Sequence, residues 1–406
     1  VEGSQHLAVE RSDALPRNAI LAFLHRYRVV FIAFCASRLA LLTVGLMTQV
    51  FIEPFSTHVS PLRLTDSAAL RPWGQWDSGW YMRLASHGYA THPEPDGQVN
   101  WVFFPFYPML SAGIAKVTHL PIFTAMLGLS NLSFLGALIL AHRFAREMFD
   151  ARTADVTVAL LCTVPGSYIF SSAYTESLFL LALTACLVLL HAKKWLAAGA
   201  CAAVAVLTRN LGLGLILSFA VAVTPGLWTL GRDVLERQPS SGHRLVREIV
   251  RVGGGLALPV LALAGFCLFL YHRTGDPLAF VTAQKAWGRT FEFPLLRPLA
   301  PIIAGELPDG DVVSFAAAWL SMVLVAALAF MRRWSLLVLA LFLTLVPMAS
   351  GLTSYARYCL VVLPLFLAAG RLLAPRPTAT LATLIVFATL NGFLMVAWTL
   401  CMWITA

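Results

Sequence analysis

The sequence predicts an all-α, polytopic helical membrane protein of about ten transmembrane helices with further helices on its outer surface. Three observations carry that prediction. Of the 406 residues 59% are hydrophobic and only 12% are charged, against about a quarter charged in soluble domains. Apolar runs of roughly 20 residues, the length a helix needs to cross a bilayer, recur along the chain. No polar block is long enough to form a separate soluble domain.

The apolar runs fall near 29–52, 121–141, 154–173, 176–193, 196–222, 252–271, 312–331, 335–350, 359–374 and 378–404. Residues 1–28 are more polar and carry Arg11, Arg17, Arg26 and Arg28, so they read as a cytoplasmic amino-terminal segment. A single integral domain over 29–406 follows. The run at 29–52 exceeds a signal-peptide core and lacks a clear small-residue cleavage site, which fits an uncleaved signal anchor. The chain opens on Val1 rather than Met, so a trimmed or alternative start is expected.

Arginine and lysine sort the connections, because basic residues gather in cytoplasmic loops. The amino terminus, 142–153 (Arg143, Arg146, Arg152), Lys193-Lys194, the arginine-rich 231–251, Arg332-Arg333 and Arg371/Arg376 fall on that side. Segments 53–103, 174–175, 272–311 and 351–358 then lie outside, and they hold nearly every chemically informative motif. The large outer loops lie near 53–118 and 272–311.

Two stretches strain the alternation. Residues 103–118, with Pro105 and Pro108, read as a helix lying at or dipping into the outer surface. The run at 196–222 has Thr208-Arg209-Asn210 at its middle and must enter and leave on one side. A broken or re-entrant pair satisfies that, since irregular backbone at membrane depth belongs where it lines a cavity.

The formal charge of +9 is spread in short clusters between apolar runs, the pattern of loops beside anionic lipid. Nucleic-acid binding is excluded on that ground. The seven cysteines include Cys35, Cys162, Cys186, Cys201 and Cys267 inside apolar runs. They lack paired metal-ligand spacing, so zinc and disulfide roles find no support. No Ser-His-Asp order, P-loop or dinucleotide fingerprint occurs, which favours a lipid-linked donor over a soluble nucleotide.

Asp77 sits within Trp76-Asp77-Ser78-Gly79-Trp80-Tyr81, just beyond the first run. It reads either as the cap of a helix over 80–87 or as a general base that takes a proton from an acceptor hydroxyl. Trp76, Trp80 and Leu84 form one apolar face, suited to the membrane interface. Glu176, in Tyr174-Thr175-Glu176, either begins a helix, where the macrodipole favours an acid, or faces a cavity shared with Asp77. Arg209, near mid-membrane, is costly unless paired or hydrated. It reads as a structural partner of Glu176 or as a phosphate clamp. Arg38 raises the same question.

The outer stretch Gly275-Asp276-Pro277 to Phe280, then Gln284-Lys285-Ala286-Trp287-Gly288-Arg289, reads as a turn followed by a basic, aromatic surface helix. It is either an interfacial anchor or a cover over the site, with Lys285 or Arg289 reaching a lipid phosphate. Asp309-Gly310-Asp311 reads as a turn. Arg357, in Ser354-Tyr355-Ala356-Arg357-Tyr358, is exterior against the charge bias and is a second phosphate-clamp candidate.

These motifs, with His87-Gly88-Tyr89, Phe104-Pro105-Phe106-Tyr107-Pro108 and Pro364, resemble in order across roughly 30–370 the GPI second-mannosyltransferase (PIG-V-like) family and its bacterial relatives. The resemblance implies a GT-C-like fold. It implies an inverting glycosyltransferase that moves a sugar, typically mannose, from a polyprenyl- or dolichyl-phosphate donor on the non-cytoplasmic face. Asp77 occupies the position of the family's outer-loop acid and takes the catalytic role. Trp76, Trp80, Tyr81, Glu176, Arg209, Gln284, Lys285, Arg289 and Arg357 are the substrate-binding candidates. Gln75-Trp76-Asp77 lacks the Asp-x-Asp pair of some GT-C relatives, so a divalent metal is left open and no metal ligand is assigned.

The expectation is therefore a multi-pass enzyme of the bacterial inner membrane, active on its outer face. Its partners are the polyprenyl-phosphate sugar, membrane lipids and a lipid, glycan or protein acceptor. The rival reading is a secondary transporter or lipid flippase with Arg209 and Glu176 as a mid-membrane site.

Overall fold

The structure, a computed structural model, describes residues 17–52, 62–95, 97–304 and 312–402. The described residues are helical, with no strand among them. The first half holds α1 (Arg17–Arg26), α2 (Arg28–Phe51), α3 (Ser78–His87), α4 (Phe106–Thr118), α5 (Ile122–Met148), α6 (Ala151–Thr163), α7 (Glu176–His191) and α8 (Trp195–Thr208). The second holds α9 (Gly214–Leu235), α10 (Ser241–Thr274), α11 (Ala279–Thr282), α12 (Leu296–Ala304), α13 (Val312–Phe330), α14 (Trp334–Ser350), α15 (Tyr355–Cys359), α16 (Leu363–Leu373) and α17 (Pro377–Thr399).

This is a polytopic membrane-protein fold. Among the described residues six helices are long and apolar enough to cross a membrane: α2, α5, α9 with the turn before it, α10, α13 and α17. Four shorter apolar helices, α7, α8, α14 and α16, pack among them. At 1.5 Å per residue the 16 residues of α7 reach only about 24 Å. That shortness matters, because α7 begins and α8 ends at the functional site.

Two apolar runs are broken rather than continuous. The run at 154–173, expected as one span, is α6 followed by a tight turn over Ser167–Ser171. Pro165 disfavours a helical residue before it, and Val164 accordingly takes ψ 137°. Gly166 supplies the left-handed step at φ 94°. The run at 196–222 breaks at Arg209, extended at φ −153°, as its central polar triplet suggested. The turn that follows folds back so closely on α8 that a Cβ on Gly212 would lie 2.4 Å from the Val206 nitrogen.

Arg38, buried on α2, holds the turn after α6. Its Nη1 donates to the Ser167 carbonyl at 2.7 Å, and its Nη2 to Ser167 Oγ at 3.0 Å and the Cys162 carbonyl at 3.3 Å. Asn391 of α17 completes the network by donating to Ser167 Oγ at 2.8 Å and accepting from Gly166 N–H. Carbonyls left over by the broken helix thus find a donor. Arg38 is a structural residue.

The outer helix expected near 103–118 is α4, with Tyr107 and Ser111 buried and Met109 and Val117 exposed. The surface helix expected after Asp276 is instead two short pieces, α11 and a turn over Ala283–Trp287. Gly288, at φ 68°, ends them. Asp309-Gly310-Asp311, Arg11 and part of the first outer loop (53–61) lie outside the described residues.

The sorted connections segregate to two ends of the bundle. Residues from 62–104, 280–297 and 351–358 meet around one cavity, and 174–175 join them through hydrogen bonds. At the other end Arg371 pairs with Asp150 at 2.9 Å and Arg333 donates to the Met148 carbonyl at 3.3 Å.

Candidate functional site

The cavity, of about 810 Å³, is lined by Trp76, Asp77, Trp80, Tyr81, Arg209, Gln284, Arg289 and Arg357 among others. Eight of the ten residues singled out in the sequence therefore share one wall-bounded space. The other two do not line it. Glu176 is fully buried behind the wall, and Lys285 is exposed away from it.

Asp77 precedes α3 but makes no side-chain cap hydrogen bond. Its carboxylate turns instead to Arg357, whose Nη1 donates to Asp77 Oδ2 at 2.7 Å. The turn is arranged by its neighbours. Trp76 takes a left-handed φ of 49°, uncommon for a bulky residue. The Asp77 N–H donates to the Tyr174 hydroxyl at 3.0 Å, and that hydroxyl donates to the Gln75 carbonyl at 3.3 Å.

Behind Asp77 lies a chain of alternating charges. Arg357 Nε is 3.6 Å from Glu176 Oε1, and Arg209 Nη1 is 2.5 Å from the same oxygen. Thr175 Oγ1 accepts from Arg209 at 3.1 Å and lies 3.4 Å from the Tyr81 hydroxyl. Two carboxylates and two guanidiniums thus neutralise each other, which makes the full burial of Glu176 tolerable.

Aromatic rings brace the cations. Arg357 lies 5.3 Å over Tyr174, and Arg209 and Arg289 lie 5.1 and 5.8 Å over Tyr358. Burial works to raise the Tyr358 phenol, yet Arg289, Arg357 and Arg209 together bring it below its usual value. Trp80 stacks on Phe103 at 5.9 Å and meets Trp287 edge-on at 5.3 Å. These tryptophans face the protein rather than an outer interface.

Arg289 is differently placed from Arg209 and Arg357. It donates to the Thr353 carbonyl at 3.3 Å and the Tyr358 hydroxyl at 3.4 Å, with no carboxylate partner among the described residues. Arg297, which the sequence reading passed over, also lines the cavity and pairs with Glu292 at 3.2 Å. Trp287 adds an indole N–H that is buried without an acceptor among the described residues. Four guanidiniums face three carboxylates across this set, leaving one net positive charge on Arg289.

No group of three or more His, Cys, Asp or Glu able to hold a metal occurs among the described residues. Asp77 and Glu176 are each engaged by guanidinium groups. Such positive surroundings do not fit a divalent cation.

No protein-family model matches the sequence, and no curated protein matches it either. Solved structures do. ArnT from Cupriavidus metallidurans, bound to undecaprenyl phosphate, matches at TM-score 0.50 and 15% identity over 88% of this chain. The chain covers 62% of that protein's length. The oligosaccharyltransferase AglB from Archaeoglobus fulgidus, in complex with an inhibitory peptide and a dolichol phosphate, gives TM-score 0.46 at 13% identity over 90% of this chain and 56% of its own. That second likeness is too weak to argue from. The first shows the fold: this chain has a helical membrane-protein architecture like that of ArnT.

Proposed function

We propose that the chain is an inverting glycosyltransferase of the bacterial inner membrane, a PIG-V-like relative that transfers mannose from a polyprenyl-phosphate donor on the outer face. The observation that carries the reading is one cavity lined by both a held carboxylate, Asp77, and an uncommitted guanidinium, Arg289. The GT-C fold, and the undecaprenyl phosphate bound by ArnT, support a lipid-linked phosphate donor.

In this reading the acceptor hydroxyl gives its proton to Asp77 while its oxygen attacks C1 of the sugar. The bond from C1 to the phosphate oxygen breaks, and polyprenyl phosphate leaves with the electron pair. A single displacement inverts C1. Arg357 holds one oxygen of Asp77, so the carboxylate is oriented before the acceptor arrives. As Asp77 gains its proton, Arg357 keeps Glu176 as a partner.

Arg289 meets the charge that develops on the leaving phosphate. Arg209 and Arg357 instead set up the base, because each already faces a carboxylate. Gln284, Trp80, Tyr81 and the Trp287 indole N–H serve the sugar's hydroxyls and apolar faces. The acceptor is a lipid, glycan or protein with a free hydroxyl.

The test is transfer from radiolabelled polyprenyl-phosphate mannose in membranes, comparing the native protein with Asp77→Asn. Transfer by the native protein, lost in a variant that keeps its thermal midpoint, is the expected result. Equal transfer by both overturns the role of Asp77. Uptake of label into vesicles without covalent transfer overturns the enzyme reading in favour of a transporter.

A further inference from the structure

A second cavity, of about 710 Å³, lies at the other end of the bundle between α5, α7, α9 and α14. Its wall is apolar, with Leu187 and Leu190 from α7 and Val221, Pro225 and Trp228 from α9. Its rim is cationic. Lys193 enters from the connection between α7 and α8, and Arg332 and Arg333 from that between α13 and α14. No carboxylate lines the cavity. None of the three cations forms an ion pair among the described residues.

The two connections are built alike, as Lys193-Lys194-Trp195 and Arg332-Arg333-Trp334. In each the first basic residue is left-handed, at φ 55°, and the tryptophan opens the next helix. Arg333 donates to the Met148 carbonyl at 3.3 Å and lies 5.3 Å over the Phe149 ring. Glu248 on α10 accepts from the indole of the cavity-lining Trp195 at 2.6 Å and forms no ion pair with a rim cation. Trp228 and Trp334 are exposed at the mouth, as tryptophans are at the headgroup level of a bilayer.

We infer that this cavity binds an anionic phospholipid, with its phosphate on Lys193, Arg332 and Arg333 and the start of an acyl chain along Leu187, Pro225 and Trp228. A soluble anion would use the rim and leave the apolar wall idle. A zwitterionic lipid would bring its own ammonium to a rim already positive. Only a lipid with net negative charge satisfies both surfaces. The inference does not depend on the transfer reaction, since it concerns residues at the opposite end from Asp77.

The test uses the delipidated full chain in detergent, titrated separately with phosphatidylglycerol, phosphatidylcholine of the same chain length, and inorganic phosphate. Bound lipid is counted by native mass spectrometry. One phosphatidylglycerol retained per chain is expected, with no saturable binding of the other two. The combined variant Lys193→Gln, Arg332→Gln, Arg333→Gln should weaken phosphatidylglycerol about a hundredfold. Equal retention of phosphatidylcholine, saturation by inorganic phosphate alone, or unchanged affinity in the variant each overturns the inference. Where the combined variant fails to fold, Arg332→Gln alone replaces it, and unchanged affinity there overturns the inference equally.

Discussion

Asp77 and Arg357 stand 280 residues apart in the chain and 2.7 Å apart in space. Arg357 also reaches Glu176, at 3.6 Å, so one planar guanidinium bridges the half-buried acid to the fully buried one. A lysine offers a point charge and no fork. Arg357→Lys is expected to keep the fold while lowering turnover roughly tenfold to a hundredfold, because Asp77 loses its fixed orientation. Steady-state transfer kinetics on folded protein check this, and near-normal turnover contradicts it.

The buried pair makes a different prediction. Removing the charge of Glu176 leaves Arg209 without its carboxylate and Arg357 with Asp77 alone. Glu176→Gln should destabilise the fold by about 3–5 kcal/mol. Adding Arg209→Met to Glu176→Leu should recover part of that loss. Thermal unfolding of Glu176→Leu, Arg209→Met and the double in one detergent measures the coupling, and strict additivity would count against the pair.

In the proposed reaction Arg289 meets the donor. With no carboxylate to satisfy, its expected partner is the donor phosphate. Arg289→Gln should raise the KM for the polyprenyl donor roughly tenfold or more, leaving the thermal midpoint in place. An unchanged KM with a lowered midpoint would make Arg289 structural.

Arg38 should behave in the opposite way. Arg38→Met removes a donor from the Ser167 carbonyl and one of the two donors to the Cys162 carbonyl, which keeps the Ser167 hydroxyl, at a cost of about 1–3 kcal/mol. The thermal midpoint should fall while turnover per folded molecule stays level. A selective loss of turnover would place Arg38 in the reaction.

At the far end Asp150 predicts an acid limb. The Thr153 N–H donates to it at 2.8 Å and holds the carboxyl below its usual 3.8, and the Thr153 hydroxyl and Arg371 add to the effect. A depressed folded value means the stabilisation is complete above the unfolded value. It is lost as pH falls below about 4. Asp150 is partly exposed, so the effect is small. Asp150→Asn should flatten the melting curve's decline in that window, and a parallel decline would contradict the assignment.

Much of this architecture was legible beforehand because it rests on local rules. Apolar run length located the helices, and basic connections separated the two ends of the bundle. The polar triplet at Arg209 marked a real break. The break after Thr163 was written in Pro165-Gly166 but masked by the apolar residues on both sides. Partner choice was less accessible. Nothing near Asp77 signals that its side chain leaves the cap position for Arg357, because that contact joins distant segments. Arg209 drew attention as a cation in an apolar run, and its pairing with Glu176 was one of two readings left open. Lys285 and Arg289 could not be told apart, since only the turn at Gly288 directs one outward and the other into the cavity. Tyr358, which three guanidiniums surround, looked like any interfacial tyrosine.

The bridge between Asp77 and Arg357 also sets an order of events during synthesis. A ribosome adding about 5–20 residues per second takes some tens of seconds to travel from one to the other. Glu176 and Arg209, far closer in sequence, can meet well before that. The nascent chain therefore passes through a period in which its inner ion pair can form while Asp77 still lacks Arg357. A chain released early, anywhere before Arg357, can insert most of its helices and still lack the residue that aims the carboxylate. The bridge from Arg357 to Asp77 is among the last contacts this polypeptide acquires.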